Sequence, residues 1–156
     1  MDTQQQRRAP IITIDGPSGV GKGTMAKALA KQLGWQLLDS GSIYRLAALA
    51  SIQQQVAIDQ EQQLAQLCTG LNIRFQAIEQ TEQDPSLRIF LNDHDVTEAL
   101  RVESTGQRAS QIAVLPAVRA ALLQRQRDFA QPPGLVADGR DMGTVVFPEA
   151  DIKIFL

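Results

Sequence analysis

The sequence predicts an α/β fold, a parallel sheet flanked by helices. Three observations carry this. Short apolar runs rich in β-branched residues alternate with stretches of helical periodicity. A glycine-rich loop separates the first such run from the first helical stretch. Two further apolar runs close the chain, "GLVADG" and "ADIKIFL".

In chain order, "PIITID" (Pro10–Asp15) reads as a buried strand. "KGTMAKALAKQLG" follows the glycine loop and sets Met25, Ala26, Leu29, Ala30 and Leu33 at helical spacing, with Gly34 as the stop. "WQLLD" (Trp35–Asp39) is a second strand, and "SGSIYRLAALASI" opens on capping residues and continues as an apolar helix. This β-loop-α-β-α order calls for crossover helices. From Asp59 to Glu103 nine acidic residues face three arginines, a solvated surface. There "LNIRFQAI" and "SLRIFLND" alternate as strands around a turn-rich "EQTEQDP", which predicts a small antiparallel insertion over about 59–103. "STGQRASQIAVL" and "PAVRAALLQRQRDFA" are two helices, the second with Pro116 near its start and Leu115, Val118, Leu122 and Phe129 on one face. "LVADGRDMGTVVF" is an apolar strand running into an Asp-Gly turn, and "ADIKIFL" is a last strand.

The 156 residues suit one compact domain, 10–156, behind a disordered N-terminal tail, 1–9, in which Arg7 and Arg8 are solvated. A formal charge of -2 gives no global basic field for nucleic acid, so any anion site is built locally. Cys68 stands alone, which excludes a disulfide; it reads as a buried helix residue rather than a reactive thiol. No apolar run approaches the ~18 residues of a membrane span, and "MDTQQQRRAP" lacks the core of a signal peptide. The expected location is the cytoplasm.

The chemistry concentrates in Gly16-Pro17-Ser18-Gly19-Val20-Gly21-Lys22, which fits the phosphate-binding pattern G-x-x-x-x-G-K between a strand and a helix. Absent side chains let backbone N–H groups close on phosphate oxygens, the helix N-terminus adds partial positive charge, and Lys22 supplies a point charge. The hydroxyl that usually follows the lysine is displaced by one, Gly23 then Thr24. Thr24 can therefore meet Mg²⁺ directly or through water. Asp138, closing an apolar run, has the form of a second Mg²⁺ carboxylate. Arg45, Arg119 and Arg140 lie in separate segments, and a second phosphorylated substrate would give them a common purpose. No N-K-x-D guanine-reading motif appears, against a regulatory GTPase.

Together "ITIDGPSGVGKGT", "LLDSGSIYR", "ASQIAVLPAVRAALLQRQR" and "ADGRDMGTVVFPEADIKIFL" resemble bacterial cytidylate kinases, the (d)CMP kinase family of P-loop nucleoside monophosphate kinases, from about Pro10 to Leu156. The resemblance implies transfer of the ATP γ-phosphoryl group to CMP or dCMP, with Mg²⁺, giving ADP and CDP or dCDP. It implies that Gly16, Pro17, Ser18, Gly19, Val20, Gly21, Lys22, Gly23 and Thr24 hold the ATP phosphates and that Thr24 and Asp138 serve the metal. Ser40, Tyr44 and Arg45 fall in its monophosphate-binding segment. Ser110, Arg119 and Asp141 fall where it reads cytosine, and Arg140 where it grips the CMP phosphate, so that Lys22 and Arg140 are the catalytic cations. Asp141 and Ser110 can accept from the cytosine amine while Arg119 donates to the ring acceptors. No general base is required, because the second pKa of a phosphate monoester is about 6 and the acceptor oxygen is already ionised.

The implied fold is a P-loop kinase whose small antiparallel insertion lies on the monophosphate side. Members of the family continue past the last residue here into an arginine-bearing lid, a last strand and helices. The expectation is a C-terminally truncated core with lid and last strand absent, poorly stable and nearly inactive alone. The expected partners are CMP and dCMP, with neither nucleic acid nor membrane, and the expected state is a monomer. The rival readings are another P-loop small-molecule kinase, such as an adenylate or shikimate kinase, and a nucleotide-binding fragment without full catalytic activity. "DGRDMG" argues against the adenylate kinases.

Overall fold

A computed structural model describes residues 8–17, 19–78 and 87–156. The expected connector "EQTEQDP" and residues 1–7 of the expected tail lie outside the described residues.

The main sheet holds four parallel strands in the order β2-β6-β1-β7. β1 (Ile11–Asp15) is buried at every residue, as a central parallel strand covered on both faces must be. It pairs with β6 (Leu135–Gly139) from Ile11↔Leu135 to Asp15↔Gly139 and with β7 (Ile152–Phe155) from Ile12↔Ile152 to Asp15↔Phe155. β2 (Gln36–Asp39) pairs with β6, setting Asp39 beside Asp138. Asp15, Asp39 and Asp138 thus lie together at the carboxyl-end edge of the sheet. In open α/β sheets ligands bind at that edge.

The helices follow the sequence reading closely. α1 (Lys22–Leu33) ends at Gly34, whose φ of 68° is the left-handed conformation the stop demands. Of its apolar stripe only Ala26 and Ala30 are buried, while Met25 and Leu33 remain exposed. α2 (Ser40–Gln53) is capped by Asp39, whose carboxylate accepts from the Gly41 N–H at 3.2 Å and the Ser42 hydroxyl at 2.6 Å. α4 (Glu103–Ile112) packs on α2. α5 (Pro116–Arg127) starts on its proline, and Val118 and Leu122 are fully buried on its inner face.

The insertion is a separate antiparallel sheet, β3 (Ile73–Ala77), β4 (Leu87–Leu91) and the two-residue β5 (His94–Asp95). α3 (Glu61–Thr69) precedes it and packs along α5. Phe75 meets Phe129 with ring centroids 5.7 Å apart, and Arg125 donates to the Leu71 carbonyl at 2.7 Å. Cys68 is buried in α3, where burial pushes its thiol up to about 11 and leaves it protonated and inert at neutral pH.

Two sequence expectations need correction. The tail does not extend to residue 9. Arg8 donates to the Glu149 carboxylate at 2.7 Å and to the Glu149 carbonyl, and Ala9 is buried. The chain is tied down there because the backbone from Pro10 already feeds the central strands, its carbonyl accepting from Leu135 N–H at 2.9 Å. The turn after β6 is not at Asp138-Gly139, which both remain in the strand. It lies one step on, where Asp141 takes φ 58° and Met142–Val146 form a single wide π-helical turn. Register with β1 and β2 holds Asp138 and Gly139 extended, overriding their local turn preference. Ile152 and Phe155 on the outermost strand β7, and Leu156 just after it, are 52%, 63% and 43% exposed.

Candidate active site

The first turn of α1 and the loop before it are where the glycine pattern places phosphate binding. Gly19 and Gly21 have φ of 86° and 88°, and nothing stands within 4 Å of where their Cβ atoms would be. The constraint at both is therefore conformational: an L side chain would be strained at this backbone angle. Ser18 lies outside the described residues. Lys22 begins the helix and is half-buried. Asp138 faces this turn, its Oδ2 3.9 Å from the Cβ position of Gly23.

Burial, and then the Asp39 carboxylate on the adjoining strand, push the Asp138 carboxyl up to about 6 against the opposing pull of Lys22 and Lys27. A buried carboxylate next to a second one invites a cation. No group of three or more His, Cys, Asp or Glu side chains able to cage a metal occurs among the described residues. One or two carboxylates together with substrate phosphates are the donor set that Mg²⁺ takes. Asp138, with Thr24 on the facing turn, fits that role.

The raised Asp138 pKa has a sign that can be tested. Because the folded value lies above the ordinary 3.8, protonation favours the fold. That contribution is complete below about pH 4 and is lost as pH rises through about 6. Asp138→Asn should raise the melting temperature by a few degrees at pH 7.5, roughly 1–3 kcal/mol, and leave it nearly unchanged at pH 4. Equal shifts at both pH values in thermal melts would reject this account.

Two clefts open at this end of the sheet. One, of about 480 Å³, is lined by Asp15, Gly16, Pro17, Arg140, Asp141, Thr144 and Phe155. The other, of about 470 Å³, lies between α2, α5 and the turn after β6, and its walls include Ser40, Tyr44, Arg119, Gln126, Arg140 and Asp141. Arg140 and Asp141 line both. Five of the residues expected to bind substrate thus converge on one cleft although they come from three segments. Burial raises the Tyr44 phenol pKa, and the Arg119 guanidinium beside it opposes that shift.

Arg45 and Ser110 do not line either cleft. Arg45 donates to the Leu100 carbonyl at 2.8 Å and lies against Gly106, where an added Cβ would fall 3.0 Å from its Nη2. The Ser110 hydroxyl donates to the Gly106 carbonyl at 3.2 Å. The two residues share the Gly106 turn of α4 instead.

Two residues of the site escaped the sequence reading. Gln126 is 5% exposed, accepts from the Ser40 hydroxyl at 2.9 Å and lines the second cleft. Its signal was a polar residue one helical turn beyond Leu122 on the buried stripe. Asp15 is the other. A charge closing a fully buried strand requires partners, and it has two, the N–H groups of Met142 at 2.6 Å and Gly143 at 2.9 Å.

With this geometry in view, a family model described as Cytidylate kinase matches residues 12–156. A curated cytidylate kinase of Edwardsiella ictaluri is 57% identical over 94% of this chain and 63% of its own length. One of Sodalis glossinidius is 59% identical over 95% and 63%, and one of Pseudomonas fluorescens SBW25 is 60% identical over 96% and 64%. The chain therefore spans less than two thirds of the length of these relatives.

Proposed function

The chain belongs to the cytidylate kinase family, and from that premise we propose that its enzyme transfers the γ-phosphoryl group of ATP to CMP or dCMP, giving ADP and CDP or dCDP. The observation that carries this reading is the pair Arg140–Asp141, which lines both the cleft beside the phosphate loop and the cleft between α2 and α5. A transferase needs its two substrates side by side, and adjacent residues facing two clefts provide that.

In this reading the amides from Gly16 to Thr24 enclose the ATP phosphates and Lys22 follows the γ-phosphoryl group. Thr24 and Asp138 would hold Mg²⁺, which would supply neutralisation of phosphate charge. Arg140 holds the CMP phosphate in line, with Ser40 and Tyr44 on the same wall and Arg45 behind them on α2. Asp141 and Arg119 read the base, while Ser110, expected with them, lies outside the cleft on α4. Catalysis is positioning and charge neutralisation, with no proton to abstract. Residues 10–156 form the kinase core and 59–103 its insertion on the monophosphate side, leading directly into the helices of Ser110 and Arg119. No helix among the described residues is long and apolar enough to cross a membrane, and the reading is of a monomeric cytoplasmic enzyme acting on free nucleotides.

The test is ADP release with MgATP and a panel of nucleoside monophosphates. Turnover of CMP and dCMP well above UMP, AMP and GMP is expected; ATP binding without transfer, or faster transfer to AMP or to shikimate, would reject the reading. A specificity prediction accompanies it. Uracil carries an oxygen where cytosine carries its amine, so a carboxylate there repels UMP. Asp141→Ala should narrow the CMP-to-UMP ratio of kcat/KM by about 10-fold or more. An unchanged ratio would remove Asp141 from base reading.

A further inference from the structure

The carboxylate of Asp15 links two parts of the molecule that lie far apart in sequence. It closes the central strand β1, immediately before Gly16 of the phosphate loop, and is 7% exposed. Its two oxygens are divided between two consecutive amides, Oδ1 accepting from Met142 N–H at 2.6 Å and Oδ2 from Gly143 N–H at 2.9 Å. Those amides open the π-helical turn that follows Arg140 and Asp141.

The backbone on the other side of this contact is shaped to receive it. Asp141 takes φ 58°, an unusual angle for a non-glycine residue, which turns the chain so that the next two amides point back at β1. Gly143 must be glycine for a different reason. A Cβ there would lie 2.8 Å from the Thr13 hydroxyl and 3.2 Å from the Lys153 side chain. The Thr13 Oγ1 that Gly143 packs against is buried and has no hydrogen-bond partner among the described residues. Arg127 ties the far end of this turn, donating to the Val145 and Val146 carbonyls, and the paired charge-assisted bonds to Asp15 hold its first two amides against β1.

We propose that Asp15 is the positioning residue of the active site: it fixes the Arg140–Asp141 turn against the strand that carries the phosphate loop, and so sets the register between donor and acceptor. This rests on the function proposed above. Asp15 borders the first cleft, but both of its oxygens are engaged by the amides of Met142 and Gly143, so it acts through the turn that carries Arg140 and Asp141. Misplacing aligned reactants by about 1 Å can cost about 10²-fold in rate, so the loss should fall on transfer more than on nucleotide binding.

The experiment compares wild type with Asp15→Asn in the enzyme as its organism makes it. Asparagine keeps the size and one acceptor but presents an N–H₂ to the second amide. The expected result is a kcat for CMP about 10–100-fold lower, with the KM for MgATP within about 2-fold, and backbone amide exchange at Met142 and Gly143 at least about 10-fold faster. Wild-type kcat, or kcat and both KM values worsening in step with the melting temperature, would overturn the proposal. Should the wild type transfer phosphate to no nucleoside monophosphate, the function proposed above fails by itself. The amides then decide the latch: faster exchange confined to residues 140–144 supports it, and equal exchange in both proteins overturns it.

Discussion

Lys22→Ala is expected to lower kcat for CMP by about 10²–10³-fold or more while leaving the fold intact. Lys22 opens α1 directly behind two left-handed glycines, so its amine issues from a turn in which backbone N–H groups and a helix N-terminus act together. Alanine is a better helix former than lysine, and the far end of α1 remains capped by Gly34, whose N–H donates to the Lys31 carbonyl at 3.3 Å. A melting temperature near that of wild type, with kcat collapsed and the KM for CMP little changed, is the pattern of a charge used mainly in the transition state. Near-normal kcat with MgATP would remove Lys22 from that role.

The legible parts of this molecule are those in which local signals and tertiary demands agree. Gly34 stops α1 because only a left-handed residue closes that turn, and Pro116 starts α5 because the first helical N–H is unpaired in any case. The apolar runs Ile11–Ile14 and Leu135–Ala137 could only be buried parallel strands, and they are neighbours in the sheet. The left-handed turn at Gly19 and Gly21 was legible for the same reason, since glycine spacing encodes backbone angles directly.

What stayed hidden depends on contacts across long sequence separations. Nothing local says that Asp15 reaches the amides of residues 142 and 143, which are 127 and 128 positions away. Nothing local says that Asp138 and Gly139 stay extended and pass the turn on to Asp141. That follows from register with β1 and β2. The shared purpose of the arginines was inferred from chemistry alone, and only Arg119 and Arg140 line the same cleft. Arg45 is drawn instead to the Leu100 carbonyl and the bare face of Gly106. A glycine in the middle of α4 gave no hint of an arginine lying over it.

Arg140 carries the second large effect. It follows the last residue of β6, is exposed, and lines both clefts. An ordinary surface arginine would lose no more than about 0.5 kcal/mol of stability on truncation, and function would not notice. An arginine between two polyanions does two things: it offsets their mutual repulsion, and its planar fork fixes a phosphate in one orientation. The two contributions separate by substitution. Arg140→Ala removes both and should lower kcat/KM for CMP by about 10²–10³-fold, with the melting temperature unchanged. Arg140→Lys restores the charge but not the fork and should recover only part of that loss, remaining about 10-fold or more below wild type. Full recovery by lysine would mean that Arg140 acts as a point charge alone. Wild-type kcat/KM in both variants would return it to the surface and leave the acceptor phosphate without its proposed holder.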